Sequence, residues 1–109
     1  MTLREKQSKF ALMVANLLYH MSNEGYECTL GWAYREPGTS EAIGKLGDRS
    51  LHCKRLAIDI NLFKDGKYLK STKAHEPFGL YWESIGGSWG GRFKSGDGNH
   101  YSLDHEGAR

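Results

Sequence analysis

Residues 50–62 read Ser-Leu-His-Cys-Lys-Arg-Leu-Ala-Ile-Asp-Ile-Asn-Leu, and this stretch decides the centre of the fold. In its second half Ile58, Ile60 and Leu62 alternate with polar residues, a pattern typical of a half-buried β-strand. Because successive side chains of a strand point to opposite faces, these three predict the face that packs on the core. Asp59 is therefore expected on the opposite face, away from the core.

A histidine precedes this strand and a second one follows it much later. His52 lies seven residues before Asp59, an odd number, so the two would point to opposite faces of an uninterrupted strand. A loop must therefore carry His52. Asp97-Gly-Asn indicates a turn that leads into a short strand at 100–103, which places Asp97 on the bend and His100 on the strand.

These residues together offer the donors of a catalytic zinc site. Such a site takes three protein ligands from histidine and carboxylate groups and leaves the fourth tetrahedral position to water. We predict that His52, Asp59 and His100 bind the metal, and that Asp97 is the general base. An isolated histidine is more often structural, so the prediction depends on the joint chemistry of the four groups. Three other histidines have no such partners and are expected at the surface: His20, His75 and His105.

The two clusters resemble a known family, the zinc D-alanyl-D-alanine carboxypeptidases and L-alanyl-D-glutamate endopeptidases of bacterial cell walls, especially small bacteriophage endolysins. The family signature is Ser-x-His-x-x-Gly-x-Ala-x-Asp, followed later by Asp/Glu-x-x-His. Tyr34-Arg35 is similar to the family's Tyr-Arg motif, and Trp89-Gly-Gly-Arg-Phe93 stands shortly before the second cluster. The chain supplies these residues of the signature: Ser50, His52, Ala57, Asp59, Asp97 and His100.

The chain departs from the signature at one position. Arg55 stands where the family often has glycine, three residues after the first histidine. Arginine lacks the backbone freedom of glycine. The departure removes no metal ligand, but it leaves the local loop shape and the substrate preference open.

The resemblance implies a small α+β domain over residues 1–109, the Hedgehog/DD-peptidase-like fold, in which an antiparallel sheet carries the zinc site and helices flank it. It implies amide hydrolysis in the peptide stems of bacterial peptidoglycan, at the L-alanyl-D-glutamate bond or, alternatively, at terminal D-alanyl-D-alanine. Two alternatives of other classes are a zinc-stabilised module that binds wall peptides without cutting them and, less favoured, a cysteine peptidase using Cys53.

Four further residues are candidates for roles at the site: Arg35 and Tyr34 through the family's Tyr-Arg motif, Ser50 and Trp89 through their places in the chain. Arg35 is expected to hold a substrate carboxylate or the oxyanion, although a surface cation is the default for an arginine. Ser50 is expected to orient a ligand, or to be an ordinary loop serine. Tyr34 is assigned to substrate binding or to the surroundings of the ligands. Trp89 is expected to cover the site or contact the peptide stem, or else to close the core.

Length and composition agree with one catalytic module. The chain has 109 residues, a usual size for a single domain. Its formal net charge of +2 is modest, so we expect no nucleic-acid partner. No apolar run approaches the ~20 residues of a membrane span, and no signal peptide is evident, so we expect synthesis in the bacterial host cytoplasm. We also expect a monomeric protein without a membrane partner that acts on the cell wall. Cys28 and Cys53 are expected to be thiols rather than a disulfide.

The remaining elements follow from periodicity and turn residues. The sequence predicts a helix over Arg4–Met21 ended by Gly25, with one apolar stripe, and a strand over Tyr26–Tyr34. It also predicts a hairpin turn at Lys64–Lys67 and a helix over 76–85 with Pro77 in its first turn. Residues 36–49 are expected to form a loop with at most one short helical turn that borders the substrate groove. The glycine-rich stretch 86–98 is expected to be an active-site loop, too loose for packed core.

Overall fold

An antiparallel sheet and two helices make up the part of the chain that the computed structural model describes, residues 1–38 and 50–109. The α+β class is as predicted. The elements in chain order are α1 (Leu3–Asn23), β1 (Glu27–Leu30), a 3₁₀ turn (Leu51–Lys54), β2 (Ala57–Lys64), β3 (Lys67–Leu69), α2 (Thr72–Ser84), β4 (Ser88–Trp89), a second 3₁₀ turn (Gly90–Arg92) and β5 (His100–Ser102). The loop predicted at 36–49 lies largely outside the described residues.

Helix α1 confirms its prediction. Thr2 caps it, because its hydroxyl accepts from the N–H of Glu5 at 3.1 Å while the Glu5 carboxylate accepts from the N–H of Thr2 at 2.9 Å. Gly25 follows the helix in the left-handed region at φ 87°, a conformation that glycine adopts without steric cost. The predicted stripe is the buried face of the helix: Phe10, Met13, Leu17 and Met21.

Strand β2 is the centre of the sheet, as its alternating pattern predicts. The strand order is β1-β2-β5-β4, with β3 pairing with the end of β2 on the hairpin side. Ile58, Ile60 and Leu62 are buried while Asp59 is half-buried on the other face. The predicted hairpin turn is present, with Asp65 at φ 52° and Gly66 at φ 77° between the paired residues Lys64 and Lys67.

The strand predicted over Tyr26–Tyr34 is shorter in the structure. β1 ends at Leu30, and beyond it Gly31 donates to the carbonyl of Asp59 at 2.8 Å while Asp59 donates to the carbonyl of Trp32 at 2.7 Å. Two residues thus face one residue of β2, the arrangement of a β-bulge, which bends a strand and re-aims its side chains. The alternation continued past Leu30, but these side chains are exposed and cover no core.

Helix α2 begins earlier than predicted. Its N-cap is Ser71, whose hydroxyl accepts from the N–H of Ala74 at 3.1 Å, so the helix runs from Thr72 instead of 76. Pro77 consequently lies in the second turn and not the first. It lacks the N–H that would otherwise bond to the carbonyl of Lys73, and the helix continues around it.

The prediction that residues 86–98 are too loose to be core is wrong for the first half of that stretch. Trp89 is 4% exposed and belongs to the core, and a Cβ at either Gly79 or Gly91 would overlap its ring. Gly87 lies in the same way against the ring of Trp82. The glycines let two large rings pack against the backbone, so they serve packing density rather than looseness.

The surface position predicted for His75 is also wrong. Its side chain is 1% exposed on the inner face of α2, and its Nδ1 lies 2.8 Å from the hydroxyl of Tyr101 on β5. Burial lowers the pKa of His75 to about 4, because the charged imidazolium would be desolvated. His20 and His105 are half-buried: His20 stacks on Tyr81, and His105 contacts Lys6.

We predict that His75 makes the fold sensitive to acid. The native state binds its proton near pH 4 and the unfolded chain near 6.5, so the unfolded state holds more protons between these values. Stability should therefore fall as the pH drops from 6.5 to 4, by up to about 3 kcal/mol. Urea unfolding of metal-free protein at pH 7 and pH 4.5 measures this.

Two variants show whether His75 causes the loss of unfolding free energy at low pH. His75→Phe removes the titrating group and should flatten the dependence of stability on pH, whereas Tyr101→Phe removes only the hydroxyl partner and should keep it. An equally steep acid dependence in His75→Phe would show that other groups cause it.

Candidate metal centre

Three separate elements bring the predicted ligands together. His52 lies on the 3₁₀ turn Leu51–Lys54, Asp59 on β2 and His100 on β5. Each offers one ligand atom, and these atoms all lie within 4.8 Å of one another. The loop predicted to carry His52 is a short turn of helix, and it serves the expected purpose: it frees His52 from the pleat of the strand.

The orientation of His52 is fixed by main-chain contacts. Its Nδ1 lies 2.9 Å from the carbonyl oxygen of Ala33, and its own N–H donates to the hydroxyl of Ser50 at 3.3 Å. A carbonyl can only accept, so Nδ1 carries the proton and Nε2 presents its lone pair. Nε2 is the atom that faces Asp59, at 3.5 Å from Oδ1. The tautomer suits a metal ligand.

His100 meets Asp59 through the register of the sheet. The two residues are direct partners across β2 and β5. The backbone of Asp59 bonds to residues 31 and 32 on its other side, so this is a non-hydrogen-bonded pair, in which side chains approach most closely. Nδ1 of His100 lies 3.5 Å from Oδ1 of Asp59.

Asp59 stays ionised at neutral pH despite its position. Burial of the carboxyl group opposes ionisation, but contacts with the imidazoles of His100 and His52 outweigh it and lower the pKa to about 2. Its Oδ1 is buried and has no hydrogen-bond partner among the described residues. An ionised, buried oxygen that faces two imidazole nitrogens is the expected state of a metal ligand.

Arg35 lies beside the same carboxylate. Its Nη2 is 4.0 Å from Oδ2 of Asp59, and its guanidinium carbon lies 5.1 Å from the ring centre of Trp32. The backbone N–H of Arg35 donates to the carbonyl of His52 at 3.2 Å. Its Nε is buried without a hydrogen-bond partner in the described part of the chain. The guanidinium thus has donor capacity left over at the edge of the site.

Asp97 lies on the predicted turn before His100. The turn is held by the bonds Asp97 N–H to Gly90 carbonyl at 2.9 Å and His100 N–H to Asp97 carbonyl at 3.1 Å. A Cβ at Gly90 would overlap the carbonyl of Asp97, so the two backbones touch there. The carboxylate of Asp97 is exposed and is not one of the three clustered ligands. That position suits a group that meets water, and its role as base stays a prediction.

Comparison with protein-family models matches residues 44–103, more than half of the chain, to D-alanyl-D-alanine carboxypeptidase. This chain belongs to that family. The matched segment contains all three clustered ligands together with Asp97. No curated protein matches the chain.

The D-alanyl-D-alanine carboxypeptidases of this family are zinc peptidases, and the residues of this chain fit zinc. Two imidazoles and one carboxylate form a donor set typical of catalytic zinc, which leaves one position open. The orphaned Oδ1 of Asp59 and the available Nε2 of His52 point into the cluster from different elements. His52, Asp59 and His100 are therefore the residues that would hold the ion.

The other predicted residues occupy varied positions in this carboxypeptidase-family chain. Ser50 is buried and its hydroxyl holds the N–H of His52. Tyr34 is 40% exposed, and the guanidinium of Arg55 lies 3.9 Å from its ring centre. Trp89 is in the core, the alternative left open for it, and it donates to the carbonyl of Gly98 at 2.7 Å. It therefore supports the turn that carries Asp97 rather than facing a substrate.

Sequence reasoning missed two supports of the site. The carbonyl of Ala33 orients His52, and the ring of Phe93 lies 5.2 Å from that of His100. A backbone carbonyl has no residue-type signal, so only the fold could reveal the first. Cys53 is buried beside His52, and neither Cys53 nor Cys28 forms a disulfide in the described chain, as expected.

We predict that purified protein binds about one zinc ion per chain. His52→Ala, Asp59→Ala and His100→Ala should each lower the zinc content and the melting temperature. Metal that binds only the folded state adds about 2.7 kcal/mol at 100 times its Kd, which in a domain of this size raises the melting temperature by roughly 10–20 °C. Elemental analysis and thermal unfolding with and without chelator measure both quantities.

His20→Ala is the matched control, because His20 is half-buried but remote from the cluster. It should keep full zinc content. Full zinc content in His100→Ala would remove that residue from the ligand set.

Proposed function

We propose that this protein is a zinc-dependent peptidase that hydrolyses an amide bond in the peptide stems of bacterial peptidoglycan, with the L-alanyl-D-glutamate bond as its preferred target. Membership of the D-alanyl-D-alanine carboxypeptidase family supports a peptidase with a peptidoglycan-derived substrate. The observation that carries the proposal is the His52, Asp59 and His100 cluster with an exposed carboxylate, Asp97, on the turn that leads into it.

Amide hydrolysis at the cluster needs an activated water molecule, a polarised carbonyl group and a group that transfers a proton. Bound zinc lowers the pKa of water toward ~7 and polarises a carbonyl group. Asp97 accepts a proton from the water that attacks the carbonyl carbon. As the carbon–nitrogen bond breaks, Asp97 returns the proton to the leaving amine, so the carboxylate is restored at the end of each turnover.

Arg35 suits the stabilisation of negative charge during this reaction. Its guanidinium is near Asp59 and has an unpartnered Nε, and a fixed guanidinium can hold a carboxylate or the oxyanion through charge-assisted hydrogen bonds. The ion pair with Asp59 and the cation–π contact with Trp32 restrict its side chain, so little conformational freedom would be lost when it binds substrate.

Two other functions remain as alternatives. Cleavage of terminal D-alanyl-D-alanine would use the same residues, and the description of the family favours it. A zinc-stabilised module that binds wall peptides without cutting them would need the ligands but not a base, so the presence of Asp97 argues against it. We propose action on the cell wall by a monomer. No helix in residues 1–38 or 50–109 is both long and apolar enough to cross a membrane.

We predict that the zinc-loaded protein releases new amino groups from purified peptidoglycan without producing reducing sugar ends. Asp59 is a proposed ligand, so the described residues of the site offer no free pair of carboxylates of the kind that glycoside hydrolysis uses. Mass spectrometry of the products identifies the bond that is cut. If wall peptides of several stem chemistries stay intact with full zinc bound, the binding module replaces the peptidase.

We predict that Asp97→Asn keeps the zinc and the stability but lowers kcat by roughly 10²- to 10⁴-fold, because the general base is lost. Asp65→Asn is the control, since it changes an exposed aspartate of the β2–β3 hairpin that tolerates asparagine at positive φ. Release of zinc from a folded Asp97→Asn protein would instead make Asp97 a ligand.

A further inference from the structure

Arg55 holds an unusual backbone conformation next to the metal ligands. It ends the 3₁₀ turn that carries His52, with φ 56° and ψ 37°, the left-handed region. Long side chains are disfavoured there, and glycine is the residue that adopts this conformation freely. The arginine has therefore kept the glycine-like backbone that its position requires, in spite of its side chain. Such outliers concentrate at functional sites, which makes the side chain the feature to explain.

The side chain of Arg55 is exposed, and its guanidinium lies over an aromatic ring. Its guanidinium carbon is 3.9 Å from the ring centre of Tyr34, the residue before Arg35. A cation–π contact depends on the charge of the guanidinium and needs none of its N–H donors. No carboxylate pairs with Arg55 among the residues that the structure describes. The contact with Tyr34 thus orders the guanidinium of Arg55 and leaves its N–H donors available for a ligand.

The backbones of Arg35 and Arg55 meet at one carbonyl group. The backbone N–H groups of Arg35 and Arg55 both donate to the carbonyl of His52, at 3.2 Å and 3.4 Å. The side chain of Arg35 extends to Asp59 and makes a cation–π contact with Trp32, whereas that of Arg55 makes one with Tyr34. Two guanidinium groups, each set against its own aromatic ring, therefore flank the turn that carries a metal ligand.

We propose that Arg55 is a specificity-determining residue that binds a carboxylate of the substrate peptide, while Arg35 acts at the scissile amide. This inference rests on the proposed function. A guanidinium edge binds carboxylate through two parallel hydrogen bonds, which a carboxamide cannot match in charge or in acceptors. A glutamate joined into a peptide through one carboxyl group keeps the other, so the proposed target bond places a free carboxylate one residue away from the reacting carbonyl.

The test uses two stem peptides that differ only at this glutamate, one with its free carboxylate and one with a carboxamide. For the zinc-loaded wild type we expect a KM about tenfold lower for the carboxylate peptide, with similar kcat, because a hydrogen bond to a charged group changes affinity by about that factor. Arg55→Gly should raise the KM for the carboxylate peptide to that of the carboxamide peptide. Arg55→Lys should keep part of the preference.

Arg55→Gly is a favourable variant because glycine suits the left-handed backbone, so its melting temperature should equal or exceed that of the wild type. Asp65→Gly is the matched control, since Asp65 has a similar φ of 52° in the remote β2–β3 hairpin. It should keep the full preference for the carboxylate peptide, which separates the loss of the guanidinium from relief of the backbone.

A binding measurement decides the inference independently of turnover. In zinc-loaded Asp97→Asn protein, calorimetry should show about tenfold tighter binding of the carboxylate peptide, and Arg55→Gly in that background should abolish the difference. Equal KM values for the two peptides in the wild type, or an undiminished preference in Arg55→Gly, would overturn the role of Arg55 and leave the peptidase standing. Failure to cut either peptide would overturn the peptidase, and the calorimetric comparison would still decide on Arg55.

Discussion

The site depends on the pairing of Asp59 with His100 across β2 and β5. These residues are opposite one another in a non-hydrogen-bonded pair, so the sheet itself brings a carboxylate and an imidazole together. A slip of one residue in this register would turn either side chain to the other face. The alternating core residues of β2 prevent such a slip, because it would expose Ile58 and Ile60 to water. Core packing and ligand geometry are thus fixed by the same constraint.

The cluster is costly to build in the absence of an ion. Oδ1 of Asp59 and Nε2 of His100 are buried without hydrogen-bond partners among the described residues, and unpaired buried polar atoms destabilise a fold by about 1–3 kcal/mol each. The contacts of Asp59 with the two imidazoles offset part of this cost, as its lowered pKa shows. A bound cation would satisfy Oδ1 directly, so metal binding would offset the part of this cost that falls on Asp59.

The sequence pointed to the three residues of the cluster because their signals are local. Period-two alternation placed Asp59 on the face of β2 away from the core, and a turn signal preceded His100. The odd number of residues between His52 and Asp59 excluded His52 from that strand. Features decided by distant contacts escaped it. His75 lies on the buried face of α2, where the hydroxyl of Tyr101 on β5 contacts its Nδ1. Residues 87–91 pack because the rings of Trp82 and Trp89 lie against Gly87 and Gly91. Neither partner can be identified from the neighbouring sequence.

Arg55 shows how a departure from a family signature can preserve shape while changing chemistry. The turn between His52 and β2 must reverse its backbone at this residue, since His52 and Asp59 have to reach one cluster from different elements. Glycine would meet that demand and add nothing. Arginine meets it at a steric cost, and its cation–π contact with Tyr34 restricts where the side chain lies. The backbone requirement and the added charge are therefore separable: the left-handed turn positions the cluster, and the proposed substrate contact belongs to the side chain alone.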